Sequence, residues 1–209
     1  MKNIIYKAGI DEVGRGPVAG PVCVCAFLIK KDFEKEVQKE LEQITDSKKL
    51  SEKKRYFYFE KIKKLKQDGK VFSSAVFVSA LEIDKIGISK AIKKSTEKSF
   101  SNTLKQVQDF EQKEILADLK VFLDGGLFLE NQNIFQETII KGDQKEFTIS
   151  CASVVAKCIR DDYMKKIALE FPQYEFEKHK GYGTKKHLEN ISKHGPSKIH
   201  RKTFLKKYL

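Results

Sequence analysis

The sequence predicts an α/β fold with a helical, basic C-terminal part, and three observations carry this. Short apolar runs of strand length alternate with charged segments whose apolar residues recur at helical spacing. Three of those runs end on carboxylates: Asp11 with Glu12, Asp124, and Asp143. Positive charge gathers towards the C-terminus, where residues 178–209 hold ten Lys and Arg against the single acidic residue Glu189.

Taken in order, "NIIYKAGID" grows more apolar towards the first acidic pair, and "PVCVCAFLI", residues 21–29, suits a buried strand pairing with it. The loop between them, "GRGPVAGP", is too rich in Gly and Pro for helix. Residues 33–44 and 51–67 have helical spacing. Ser51 is placed to cap the second of these, with Tyr56, Phe59, Ile62 and Leu65 as its buried stripe. A third strand is expected at 70–80, a long amphipathic helix at 88–108, and further apolar runs at 119–124 and 135–143. The small-residue segment 150–171 reads as a helix packed closely on the sheet and closed by Pro172, and residues 184–194 as another helix. The expected division is a catalytic core at 1–170 and a basic helical part at 171–209 packed on it, not an independent domain.

No segment approaches the roughly 20 apolar residues that cross a bilayer. "MKNIIYKAGID" runs straight into the candidate site, so the expectation is a cytoplasmic protein without a signal peptide. Cys23, Cys25, Cys151 and Cys158 match no zinc spacing and are expected as reduced, buried thiols. A net charge of +12 suggests a polyanionic partner. The basic run from Lys178 is interleaved with Tyr182, Phe204 and Tyr208, which favours a nucleic-acid surface over a solvated tail.

Strands side by side in one sheet can bring Asp11, Glu12, Asp124 and Asp143 to a common edge. Such carboxylates repel one another unless cations neutralise them, and an oxygen-rich set suits Mg²⁺ or Mn²⁺. Two such ions can support phosphodiester hydrolysis without a His or Ser nucleophile. Against this, Asp in "DG" and "GD" is often only a turn former. The pair at 11 and 12 is the stronger signal, because it sits between an apolar strand and a glycine loop carrying Arg15.

The motif "GIDEVGRGPVAGPV" resembles the opening of ribonuclease HII. So do "DSKKLS" at 46–51, "LDG" at 123–125, "KGD" at 141–143, "CASVVAKCIRD" at 151–161, and "HKGYGTKKH" with "HGPSKIHRKTF" in the C-terminal part. The resemblance spans nearly the whole chain in the family's order. It implies a ribonuclease H-like fold, with a central mixed sheet flanked by helices. It also implies endonucleolytic cleavage of RNA in RNA–DNA hybrids and at ribonucleotides embedded in duplex DNA, on the 5′ side of the ribonucleotide. By motif, Asp11, Glu12, Asp124 and Asp143 become the ligands of two divalent ions. Gly14, Arg15 and Gly16 become the readers of the ribose 2′-hydroxyl, and Tyr182 packs on the following deoxyribose. Lys48, Lys49 and Lys185 are expected backbone contacts in a protein that acts as a monomer.

Asp161 and Asp162 are expected to form ion pairs or lie on a helix surface. His179, His187, His194 and His200 are candidates for phosphate contact or for assisting product release, not for the catalytic base. The sister class, ribonuclease HIII, is disfavoured by the intact "GRG" and by the ten residues before Asp11. A non-catalytic duplex-binding protein would not need all four motif carboxylates.

Overall fold

The computed structural model describes residues 4–42, 44 and 49–208. Five strands form one sheet in the order β3-β2-β1-β4-β5. Strand β1 (Tyr6–Val13) pairs antiparallel with β2 (Val22–Lys30), and β2 pairs antiparallel with β3 (Val71–Val78). On its other side β1 runs parallel to β4 (Leu119–Asp124), and β4 runs parallel to β5 (Phe135–Ile139). The sheet is therefore mixed, as expected.

Between β2 and β3 lie α1 (Lys31–Glu40) and α2 (Glu52–Gln67). Between β3 and β4 come α3 (Ala80–Ile86) and α4 (Ile88–Glu111). After β5 the chain is helical: α5 (Phe147–Glu170), α6 (Phe176–His179), α7 (Lys185–His194) and α8 (Lys202–Leu205).

Strand β2 is buried on both faces, which explains its unbroken apolar run. Val22, Val24, Ala26 and Leu28 face α4, whereas Cys23, Cys25, Phe27 and Ile29 face α1, α2 and α5. All four cysteines are free and buried, as the spacing implied. A third apolar cluster joins Val18 and Ala19 to Met164 of α5 and to Tyr174, Phe176, Ile191 and Leu205. The C-terminal part thus shares its core with the loop after β1.

Helix α5 crosses β1 at Gly9, where a Cβ would stand 2.1 Å from the backbone carbon of Thr148. A side chain there would push the helix off the sheet. Ser150, Ala152, Ser153 and Ala156 continue the close contact with small residues.

Several boundaries differ from the expectation. Strand β3 stops at Val78, because Ser79 accepts from the backbone N–H of Glu82 and opens α3. Helix α1 ends at Glu40, short of residue 44, and α5 begins three residues before 150. The buried stripe of α2 is Tyr58, Ile62 and Leu65, with Tyr56 and Phe59 only half-buried. Ser51 does cap α2, and Thr184 caps α7 by accepting from His187 N–H.

Candidate active site

Strand register delivers the first carboxylates. Ile10 of β1 lies opposite Leu123 of β4, so the next residues along the two parallel strands, Asp11 and Asp124, stand at the same level of the sheet. Carboxylate oxygens of Asp11, Glu12 and Asp124 lie within 4.8 Å of one another, close enough to share a metal ion. Asp11 is buried, and its Oδ1 accepts from the Glu12 N–H at 2.8 Å.

Burial above all, then the charges of Glu12 and Asp124, pushes the Asp11 carboxyl well above the usual carboxylate range. The Ser153 hydroxyl and the Glu12 N–H act in the opposite sense but do not prevail. A buried carboxylate pressed against two others is a costly arrangement for the protein alone. Hard oxygen donors this close fit a divalent cation, which removes that cost.

Asp143 arrives differently from the expectation. Strand β5 ends at Ile139, Lys141 takes a left-handed conformation (φ 56°), and Asp143 sits in a single 3₁₀ turn, Gly142–Gln144. Asp143 is therefore not at a strand end, and it lies outside the tight trio. The turn is nevertheless tied to the site: Gly142 N–H donates to Asp124 Oδ1 at 2.6 Å, and Ser150 Oγ donates to the Asp143 carbonyl at 2.8 Å. The Asp143 side chain is buried beside them.

The glycine loop is held from beneath by two buried arginines. Arg201 donates from Nη2 to Gly14 O at 2.6 Å, from Nη1 to Arg15 O at 2.9 Å and from Nε to Gly20 O at 2.9 Å. Arg160 donates from Nε to Pro21 O at 2.9 Å, from Nη2 to Ala19 O at 3.4 Å and from Nη1 to Lys180 O at 3.0 Å. Both side chains are fully buried, and burial, followed by the Arg160 charge, brings Arg201 down to about 9.

Gly14 is required by this packing, since its φ is +85° and a Cβ would stand 2.2 Å from Arg160 Nε. Gly16 is exposed, with open space where a side chain would project. Arg15 also points outward, its guanidinium 3.7 Å from Glu12.

The loop carrying Tyr182 docks on the glycine loop. Gly181 O accepts from the N–H groups of Val18 (2.9 Å) and Ala19 (3.1 Å), and a Cβ at Gly181 would stand 2.3 Å from Ala19 O. The Tyr182 ring is 45% exposed, so it is available to a ligand and not consumed by the core.

Behind Tyr182, His187 and His200 form a buried chain with the half-buried His179 against them. His187 Nδ1 meets Tyr182 O at 2.8 Å, His187 Nε2 meets His200 Nε2 at 3.1 Å, and Ser197 N–H donates to His200 Nδ1 at 2.8 Å. These contacts assign the tautomers: His187 donates from Nδ1, and His200 donates from Nε2 to His187. His179 stacks on His187 at 4.1 Å and accepts from Gly181 N–H. The expectation that His187 and His200 touch phosphate is overturned, because both rings are buried. His194 alone of the four is exposed.

Asp161 and Asp162 do pair elsewhere. Asp161 accepts from Lys157 at 2.6 Å and faces Arg55 at 3.9 Å, and Asp162 accepts from the Tyr56 hydroxyl. Lys185 is exposed in the first turn of α7, and Lys49 is exposed before α2. Lys48 lies outside the described residues.

Sequence reasoning missed Arg160, Arg201 and Ser153 as supports of the site. For two of them a signal existed: Ser153 and Arg160 recur at helical spacing with Ala156, Met164 and Ile167, so the stripe that buries α5 includes them.

Comparison with known proteins agrees with this architecture. The model of the ribonuclease HII family matches residues 8–207. The ribonuclease HII of Fusobacterium nucleatum is 41% identical over 210 residues, covering 100% of this chain and 88% of that protein. The crystal structure of ribonuclease H2 from Pyrococcus horikoshii superposes with a TM-score of 0.71 at 21% identity, over 97% of this chain and 96% of that one. The crystal structure of Bst-RNase HIII in complex with Mn²⁺ gives a TM-score of 0.67 at 13% identity, over 98% of this chain and 66% of that one. The last two likenesses show the shared fold. Carboxylate trio, glycine loop and a match along almost the entire length converge, and the chain belongs to the ribonuclease HII family of divalent-metal-dependent ribonucleases H, endonucleases that act on RNA–DNA hybrids.

Proposed function

We propose that this chain cuts hybrids and also duplex DNA containing single ribonucleotides, on the 5′ side of the ribonucleotide, leaving a 3′-hydroxyl and a 5′-phosphate. The observation that carries the proposal is the close trio of Asp11, Glu12 and Asp124, with Asp11 buried and the other two half-buried, directly beside a glycine loop whose Arg15 and Gly16 are exposed. Asp11, Glu12, Asp124 and Asp143 would hold two divalent ions, Mg²⁺ or Mn²⁺. When bound, such ions supply an activated water and neutralise charge at the leaving oxygen.

The protein's own groups do the rest. Ser153 and the Glu12 N–H orient the Asp11 carboxylate, and the Gly142 N–H orients that of Asp124. Backbone groups of Gly14, Arg15 and Gly16 read the ribose 2′-hydroxyl, the one group that distinguishes RNA from DNA at a given position. The open space over Gly16 lets a sugar approach that backbone. The Tyr182 ring lies against the next sugar and would collide with a 2′-hydroxyl there, so it favours an RNA–DNA junction. Lys185 and Lys49 contact the phosphate backbone.

Residues 171–209 act as part of the same unit as the core, because Arg201 and Tyr182 belong to one loop assembly with Gly14. The protein acts as a monomer in the cytoplasm, and among the described residues no helix is long and apolar enough to cross a membrane.

The test is cleavage of an end-labelled DNA duplex carrying one ribonucleotide, with and without Mg²⁺. Metal-dependent scission immediately 5′ of the ribonucleotide is expected. Cleavage that ignores the ribonucleotide, or that proceeds in chelator, would overturn the proposal.

A further inference from the structure

Beside the carboxylates, a cleft of about 310 Å³ opens between the first turns of α4, the Arg15 side chain and the segment following Asp124. Its size falls at the lower end of small-ligand pockets, roughly 300–1,000 Å³. Lys90, Lys93 and Arg15 supply three cations, and Leu127 and Phe128 an apolar wall.

Charge around the cleft does not balance internally. Lys93 is matched by Glu130 at 2.5 Å, and Arg15 by Glu12 at 3.7 Å. Lys90 has no acidic partner among the described residues. Helix α4 begins at the same place with Gly87 as its N-cap, and no side chain caps it. Its open N–H groups add positive potential on the side of Lys90.

A second feature points to a ligand independently. Thr96 lines the cleft, is fully buried, and its hydroxyl has no hydrogen-bond partner among the described residues. Such an unmatched group costs free energy unless something entering the cleft satisfies it. At the mouth, the Phe128 ring is 51% exposed. Lys93 lies over that ring, 5.4 Å from its centroid, leaving an aromatic surface edged by positive charge.

From this arrangement we infer that the cleft is a subsite for one nucleotide of the strand being cut, flanking the scissile position. Its phosphate meets Lys90, Arg15 and the α4 N-terminus, and its base or sugar lies on Leu127 and Phe128. Strand assignment rests on closeness to the carboxylates, since Arg15 lines the cleft and stands 3.7 Å from Glu12. Gly126, also in its lining, follows Asp124 by two residues. Bases stack on exposed aromatic rings without regard to sequence, which suits an enzyme that must act at any ribonucleotide.

The inference rests on the hydrolytic reading above, and the experiment separates the two. Duplexes with one ribonucleotide are made with a single neutral methylphosphonate at successive positions on either strand. They are assayed with the wild type, Lys90→Gln, Phe128→Ala and Thr96→Val. Lys90→Gln should raise KM about fivefold with little change in kcat, the size of one solvent-exposed charge pair. That penalty should vanish on one substrate only, the one whose methylphosphonate on the cut strand removes the charge that Lys90 meets. Phe128→Ala should raise KM on all substrates, while Thr96→Val should raise KM without lowering Tm, because no protein hydrogen bond is lost.

A Lys90→Gln penalty equal on every methylphosphonate duplex, or located on the uncut strand, overturns the subsite. So does inhibition by a free nucleoside monophosphate that Lys90→Gln relieves without any positional signature. If the wild type fails to cut the unmodified duplex, the hydrolytic reading falls first. Normal cutting by all three variants overturns the subsite alone.

Discussion

Arg201 Nη2 donates to the Gly14 carbonyl across 2.6 Å, joining residues 187 positions apart in the chain. The bond sets the loop proposed to read the ribose from a segment near the C-terminus. Arg201→Lys keeps the charge but has no planar fork for the carbonyls of Gly14, Arg15 and Gly20. Losing such bonds inside the protein should cost about 2–4 kcal/mol in urea unfolding. Activity on a ribonucleotide-containing duplex should fall mainly through KM, with the Mg²⁺ concentration for half-maximal rate unchanged. A shift in that metal requirement would show that Arg201 acts on the carboxylates instead.

The carboxylate trio yields a prediction with two readouts. Asp11→Asn removes a buried charge that faces Glu12 and Asp124, so the metal-free protein should be as stable as the wild type or more so. Stabilisation by added Mg²⁺ should disappear, since a ligand raises Tm only through binding to the native state. Asp124→Asn should cut kcat by at least about 100-fold, the scale set by losing one electrostatic stabiliser in a site. Thermal melts with and without 10-fold steps of Mg²⁺ check the first claim, and single-turnover kinetics the second.

Tyr182 is held by its backbone and free at its ring, so ring chemistry can be changed without disturbing the loop. Tyr182→Phe should keep the preference for a single embedded ribonucleotide over continuous RNA. Tyr182→Ala should narrow the ratio of kcat/KM on the two substrates, with both rates reduced. An Ala variant with the wild-type ratio would move junction sensing to another residue.

The histidine chain makes stability depend on acid. Burial pushes His187 and His200 down to about 4, below the ordinary histidine value of 6.5. Below pH 6.5 the unfolded chain therefore binds protons that the folded one refuses, and stability falls as pH drops from 6.5 towards 4. His200→Gln should flatten part of that slope, because one of the refused protons is gone. Urea midpoints at pH 7.0, 6.0 and 5.0 measure it. Equal slopes in variant and wild type would place the acid sensitivity in other groups.

How much was legible beforehand differs from element to element. Strand β2, apolar at every position up to its final Lys30, and α4, with its amphipathic spacing, were both readable because burial on two faces or one leaves a pattern in the chain. Asp11 and Glu12 were readable because an acidic pair between an apolar strand and a glycine loop makes no sense as core. Helix α3 was not, since its seven residues are too few to establish a period and its start depends on the Ser79 cap.

By itself the sequence determined the alternation of strands and helices, the four motif carboxylates, the buried cysteines and the surplus of positive charge. Each is a property of residues read locally or counted. Tertiary structure alone decided that Asp143 sits in a 3₁₀ turn tied to Asp124 instead of at a strand end, that His187 and His200 face inward, and that Arg160 and Arg201 support the glycine loop. Those outcomes depend on which backbone carbonyls and aromatic rings become neighbours across more than a hundred residues. A lone arginine or histidine in a basic segment reads the same whether it meets water, phosphate or a buried carbonyl. Packing makes that choice, because a buried donor must find an acceptor wherever the fold has placed one.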